Sequence, residues 1–270
     1  MSRRMRLDSE LVRRGLARSR EQAARLIEAG RVRVGGQVAG KPATQVDTAA
    51  AILVEEPPAD RPDYVSRGGH KLAGALAAFM PMGLTVKGRR CLDAGASTGG
   101  FTDVLLREGA AHVLAVDVGY GQLAWSLRND ERVTAMDRVN VRDLTPEQVG
   151  EPPSLVVGDL SFISLKLVLP ALARCATPDA DFVMLVKPQF EVGKDRVGAG
   201  GVVRDPALRA EAVRGAAQAA EETGLGPLAV VASPLPGPSG NVEYVLWSRA
   251  GAARRLQDED VERAVTEGPQ

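Results

Sequence analysis

From residue 90 onward the chain repeats one pattern: a short apolar run ending at a charged residue, then a stretch with helical spacing. Asp93, Asp117, Asp137 and Lys187 each follow directly on such a run, and Asp159 comes one residue after Val157 and Gly158. Strand-like runs alternating with helical stretches predict an α/β fold whose sheet is mainly parallel, with helices on its faces. Ligands bind beyond the carboxyl ends of the strands in such a sheet, so the five charged groups are expected to converge on one crevice. Seven strands are expected, at residues 90–92, 112–116, 132–136, 154–157, 181–186, 228–232 and 242–247. Helices are expected at 101–108, 122–127, 165–175 and 206–223, the last with Asp205 as its cap and Gly224 as its stop.

The most informative junction is residues 92–102, LDAGASTGGFT. An apolar approach ends at Asp93, glycines follow at Gly95, Gly99 and Gly100, and Phe101, Val104 and Leu105 begin a helical pattern, which reads as strand, tight turn and helix. Bare glycine backbone admits a ligand close to the main chain, and the free N–H groups of the following helix give the turn a polar lip. The expected ligand contacts are therefore Asp93, Gly95, Ala96, Ser97, Thr98, Gly99 and Gly100, with Asp117, Val118, Asp137 and Asp159 from the later strand ends. Asp117, 24 positions after Asp93, suits a ribose diol, because a carboxylate can accept from both hydroxyls. A dinucleotide fingerprint would need glycine where this chain has Ser97, which points to a nucleoside other than NAD. An acidic residue, a glycine turn and a second acidic residue in this order resemble the S-adenosylmethionine (SAM) site of Rossmann-like methyltransferases.

Of the 270 residues, 44% are apolar and 25% charged, enough for one substantial core and a small second domain. No apolar run approaches the roughly 20 residues that cross a bilayer, and MSRRMRLDSE lacks the apolar stretch of a signal peptide, so a cytoplasmic protein without membrane contact is expected. The two cysteines, Cys91 and Cys175, have no ligand spacing and there are only two histidines, which argues against metal and disulfides. A monomer is expected. The net charge of zero hides an asymmetry: residues 1–41 hold 11 Lys/Arg against 4 Asp/Glu, leaving the remainder at −7. Such a basic arm suggests a nucleic-acid partner.

Within residues 6–54, Leu7, Leu11, Val12 and Leu16 have helical spacing, Ser19 and Gln22 form a capping box for a second helix ending at Gly30, and Val32 and Val34 alternate with arginines up to a Gly35-Gly36 hairpin turn. RLDSELVRRGLARSREQAARLIEAGRVRVGG resembles the S4 RNA-binding domain, a small α+β module. The expected RNA contacts are Arg3, Arg4, Arg6, Arg14, Arg18, Arg20, Arg25 and Lys41, with Arg67 beyond. Prolines and acids at 55–66 favour an extended connector. The expected organisation is an S4-like domain over 1–56, a linker over 57–66 and a methyltransferase domain over 67–270 whose tail starts near 251.

Residue chemistry narrows the methyl acceptor. An adenine amine calls for a motif such as N-P-P-Y after the fourth strand, where this chain has GDLSF, and a pyrimidine C5 calls for a cysteine nucleophile that no strand end supplies. Asp159, Lys187 and Glu243, with Lys71 from upstream, remain and suit a hydroxyl. Lys71 is notable because a lysine in a helix's first turn opposes the helix dipole. Lys71, Asp159, Lys187 and Glu243 resemble the Lys-Asp-Lys-Glu tetrad of FtsJ-type ribose 2′-O-methyltransferases. The stretches YVSRGGHKL, LDAGASTGGFT, DVGYGQLAWSLRND, DLSFISL, LVKPQFEVG and GPSGNVEY resemble the TlyA family, which joins that fold to an S4 domain. The resemblance implies SAM-dependent 2′-O-methylation of cytidine in the ribosomal RNA of both subunits, with rRNA or a ribosomal subunit as partner. Two other readings are an S4 protein on a non-catalytic Rossmann scaffold and, because TlyA relatives have been labelled haemolysins, a membrane-active protein.

Overall fold

The computed structural model describes residues 4–17, 19–28, 30–55, 62–237 and 239–268, without the side chains of residues 25 and 28. The chain forms two compact units, Met1–Asp63 and Tyr64–Gln270.

The first unit runs β1 (Arg4–Arg6), α1 (Leu7–Arg13), α2 (Arg20–Glu28), β2 (Val32–Val34), β3 (Gln37–Val38), β4 (Gln45–Asp47) and β5 (Ile52–Val54). β1 pairs antiparallel with β4, and β2 lies between β3 and β5. Its core is small: Leu7 and Leu11 of α1 meet Ala23, Leu26 and Ile27 of α2 and Val32 and Val46 of the strands. The Ser19 hydroxyl accepts from the Gln22 amide at 3.1 Å, capping α2. Gly35 and Gly36, at φ 57° and 84°, make the two-residue turn between β2 and β3, a conformation that two successive left-handed residues require.

The second unit runs α3 (Gly68–Phe79), β6 (Arg90–Ala94), α4 (Gly100–Arg107), β7 (His112–Asp117), α5 (Trp125–Arg128), β8 (Val133–Asp137), α6 (Pro146–Val149), β9 (Leu155–Gly158), α7 (Leu165–Cys175), β10 (Asp181–Val186), α8 (Pro188–Glu191), α9 (Pro206–Glu222), β11 (Leu225–Ala232), β12 (Tyr244–Ala250) and α10 (Asp258–Glu267). Its seven strands lie in the order β11-β12-β10-β9-β6-β7-β8. The five from β10 to β8 are parallel, and β12 is antiparallel to both its neighbours. β9 and β10 are buried throughout, because helices cover both faces of the sheet. Side chains alternate between two apolar layers: Leu92, Val156, Met184 and Leu246 point into one, and Cys91, Val157, Val183 and Val245 into the other.

Three expectations change in detail. The helix expected at 122–127 shrinks to the four residues of α5, preceded by a loop. Residues beyond 251, expected as a tail, include α10, which packs Val261, Ala264 and Val265 into the core through their i, i+3, i+4 spacing. Of the expected linker, residues 57–61 lie outside the described residues. Residues 64–66 belong to the second unit, where the Val65 amide donates to Asp103 Oδ2 at 2.9 Å.

Candidate active site

The carboxyl ends of the parallel strands carry the charged residues anticipated from the sequence. β12 runs the other way, so its beginning lies at that same end of the sheet, and the pairing of Val186 with Tyr244 brings Lys187 and Glu243 out side by side. α3 delivers Lys71 from its first turn. Lys187 Nζ stands 2.6 Å from Asp159 Oδ1, an ion pair without good hydrogen-bond direction, and donates to Ser161 Oγ at 3.0 Å. Lys71 Nζ donates to Glu243 Oε2 at 2.5 Å and lies 3.9 Å from Asp159 Oδ2. The four groups form one chain, Lys187–Asp159–Lys71–Glu243, with cations and anions alternating. Both lysines and Glu243 are buried, whereas Asp159 keeps 23% of its side chain exposed. Glu243 explains how a lysine survives at the positive end of α3: a fully enclosed carboxylate holds it there.

A cavity of about 230 Å³ opens on this chain. Its walls include Lys71, Asp159 and Lys187 together with Gly95, Ala96, Ser97, Thr98 and Gly100 of the glycine turn. Ser66, Arg67, Gly68, Phe101 and Ser161 also line it; of these the sequence marks only Arg67 as a candidate contact, and that to RNA. Ser161 was legible two positions after Asp159 in DLSF, but Ser66 carries no signal of its own. Glu243 stands behind Lys71 and does not line the cavity, nor do Asp93, Gly99, Asp117, Val118 or Asp137.

Several expected ligand contacts have other work. Asp93 is fully enclosed, accepts from Thr102 Oγ1 at 2.7 Å and so ties β6 to α4; it has no surface to offer a ligand. The glycines serve the chain's own packing before any ligand's. A side chain at Gly95, which has φ +82°, would sit 2.9 Å from the Asp159 carbonyl, and one at Gly99 would run into Leu123 and Leu127. Asp117 braces the turn: Oδ2 accepts from the Ser97 amide at 2.8 Å and Oδ1 from the Gly119 amide at 2.7 Å. Asp137 is paired with Arg128 at 2.7 Å, and Val118 is exposed. Beside Lys187, Phe162 is 90% exposed at φ 62° and its ring lies 5.2 Å from that of Phe190.

Burial pushes the Asp93 carboxyl up from its ordinary 3.8 to about 7 against the pull of the Thr102 hydrogen bond, and the nearby Asp159 and Asp117 carboxylates add to the rise. The folded chain therefore keeps this proton where the unfolded chain has released it, so the group's contribution to stability is full below about pH 4 and falls as pH rises towards 7. Asp93→Asn should remove that limb, gaining on the order of 4 kcal/mol over wild type between pH 4 and pH 8. Urea midpoints at the two pH values measure it; the same pH dependence in both proteins would contradict an enclosed, neutral carboxyl.

The basic residues of the first unit are less uniform than their sequence suggests. Arg3, Arg18 and the side chain of Arg25 lie outside the described residues. Arg4 and Lys41 are exposed. Arg14, expected to meet RNA, is structural: it donates to Glu10 at 2.7 Å and to the carbonyls of Ala50 and Thr48, both at 2.8 Å, which engages all three of its guanidinium nitrogens within the unit. Arg13 and Arg14 together hold the buried Glu10 carboxyl down at about 2. Arg6 and Arg20 remain half-exposed and share the carboxylate of Asp8. Arg67 is exposed at the cavity wall in the second unit.

Residues 64–250 match the FtsJ-like methyltransferase model and residues 5–52 match the S4 domain model. The chain belongs to the FtsJ-like methyltransferase family. Among its FtsJ-like relatives is the 16S/23S rRNA (cytidine-2′-O)-methyltransferase TlyA of Mycobacterium tuberculosis, 62% identical with 100% of each chain covered. Hemolysin A of Brachyspira hyodysenteriae is 39% identical over 89% of this chain and 98% of its own. A solved structure from Streptococcus thermophilus, described as a candidate hemolysin, superposes with a TM-score of 0.77 at 36% identity, covering 99% of this chain and 96% of that one. The FtsJ-like assignment agrees with the mainly parallel seven-stranded sheet and with an S4 domain ahead of it. Among the described residues, no helix is long and apolar enough to cross a membrane.

Proposed function

We propose that this protein transfers a methyl group from SAM to the 2′-hydroxyl of ribose in ribosomal RNA, on cytidines of 16S and 23S rRNA, as the name of its 62%-identical relative states for that protein. The observation that carries the proposal is the alternating chain Lys187–Asp159–Lys71–Glu243 at the wall of a cavity that the glycine turn also lines. SAM, when bound, supplies a methyl group on a sulfonium. The donor set fits it: each Asp117 oxygen accepts a single backbone N–H, so lone pairs remain for a ribose diol, and the turn offers main-chain polar groups.

A ribose hydroxyl is a very weak acid, and its proton has to be managed as the new C–O bond forms. Lys187 is the group for that task, because Asp159 and Ser161 fix its buried ammonium at the cavity wall. A lysine there stabilises negative charge developing on the oxygen, or accepts the proton if it is neutral when the hydroxyl arrives. Lys71 acts on the other side of Asp159, and Glu243 is its positioning residue. The exposed ring of Phe162, set against the half-buried ring of Phe190, gives a base a surface to stack on next to Lys187.

Two experiments test the reading. Asp117→Ala should lower SAM affinity on the order of tenfold to a hundredfold by calorimetry, since both its diol-binding oxygens and the brace on Ser97 are lost. Wild-type affinity in that variant would refute the SAM geometry. Incubation with methyl-labelled SAM and ribosomal RNA, then digestion to nucleosides, should put the label on 2′-O-methylcytidine; label on a base would refute the hydroxyl acceptor.

A further inference from the structure

We infer that Asp8 is a positioning residue for RNA: its enclosed carboxylate fixes the guanidinium groups of Arg6 and Arg20 as a pre-formed pair on the surface of the first unit, set to grip a backbone phosphate. The inference rests on the reading that this unit binds ribosomal RNA. Asp8 itself is only 4% exposed, while the side chains of Arg6 and Arg20 are 44% and 60% exposed. Arg6 binds it side-on, Nε to Oδ1 at 3.1 Å and Nη2 to Oδ2 at 2.8 Å, and Arg20 Nη2 reaches the same Oδ2 at 3.0 Å. Sharing one oxygen brings the two forks close enough for a single phosphate group to meet both. Their remaining N–H donors have no partner among the described residues, so they are available to an anion.

The neighbouring carboxylate makes the arrangement of Asp8 informative. Glu10 also holds two arginines, but Arg13 and Arg14 lie one turn away on its own helix, and Arg14 is consumed by backbone carbonyls. Asp8 instead draws its pair from two different elements, the end of β1 and the start of α2, and leaves both facing outward. The hydrogen bonds from Arg6 hold its carboxyl far below the ordinary carboxylate range despite burial, with Arg20 adding to the effect, so the clamp stays charged. Long arginine side chains normally lose rotamer freedom when they bind; a pair already held loses less, which favours affinity.

Loss of the Asp8 charge should act with the opposite sign to simple charge counting. Removing a negative charge from a basic surface should tighten RNA binding and steepen its salt dependence. For the full-length chain and purified 16S and 23S rRNA, Asp8→Asn should instead weaken binding about tenfold, with a salt slope no steeper than wild type. Asparagine keeps an acceptor for the Ser9 amide, which Asp8 Oδ1 receives at 2.7 Å, so the start of α1 retains its bond. In an Arg6→Ala/Arg20→Ala background the same substitution should have no further effect, since Asp8 acts through those two residues. An equal loss in that background would show that Asp8 merely supports the fold and would overturn the inference. Asp8→Asn binding as tightly as wild type, or tighter, would overturn it as well while leaving the proposed function standing. A wild-type chain that fails to bind ribosomal RNA would overturn both.

Discussion

Lys187→Ala is expected to lose methylation by about 10²–10⁴-fold while the protein still binds SAM and ribosomal RNA, because the lysine's interaction with the reacting oxygen is made chiefly in the transition state. Its position argues for this. β10 is buried along its whole length, Pro188 cannot extend the strand, and the side chain emerges at the sheet's ligand end between Asp159 Oδ1 at 2.6 Å and Ser161 Oγ at 3.0 Å. The competing explanation is that Lys187 only closes the end of the sheet by pairing with Asp159; its loss would then lower stability and leave turnover of the folded enzyme near normal. Lys187→Arg should fail nearly as badly, since a guanidinium cannot accept the proton and its planar fork does not fit where an ammonium sits. Single-turnover methylation of bound rRNA, with SAM affinity measured on the same variants, separates the explanations. A Lys187→Ala rate within a fewfold of wild type would remove this residue from the chemistry.

Removal of residues 1–63 is the second large effect: rRNA affinity at physiological salt should fall on the order of 10³-fold while SAM affinity stays at the wild-type value. The residues that line the cavity all lie in Tyr64–Gln270, whereas the chain's basic excess lies in the first unit. Binding titrations of rRNA and of SAM against the shortened chain read the two quantities independently. Unchanged rRNA affinity would assign recognition to the second unit and leave the basic arm without that role.

What the sequence made legible depended on how locally each feature is encoded. The strand ends were readable because a buried parallel strand is a continuous apolar run, and the residue that ends it is a charge: Asp93, Asp117, Asp137 and Lys187 were all placed at the crevice end of the sheet on that basis alone. Their division of labour was not legible. Asp93 and Asp117 look alike in sequence, yet Asp93 is enclosed against Thr102 while Asp117 braces two backbone amides, a difference that arises from how α4 and the loop after β7 pack over the strand ends. Lys71 stood out as a charge at the wrong end of a helix, but its partner Glu243 lies 172 positions away. That Glu243 precedes a strand antiparallel to its neighbours, and so arrives at the same rim, follows only from the sheet order. The arginines of the first unit carried one sequence signal and hold at least two roles: Arg14 is spent on backbone carbonyls, whereas Arg6 and Arg20 are held open by Asp8. Both pairs sit on buried acids, so what divides them is whether backbone carbonyls lie within reach of the guanidinium, which charge counting does not register.

The most direct test of the central claim is to map ribose methylation nucleotide by nucleotide in 16S and 23S rRNA by primer extension at limiting dNTP. The rRNA would be treated with wild-type or Lys187→Ala protein, each with and without SAM. The expected result is new pauses at cytidines that require both SAM and Lys187. Pauses that persist with Lys187→Ala would contradict the mechanism, and a wild-type pattern that SAM leaves unchanged would contradict the proposed activity itself.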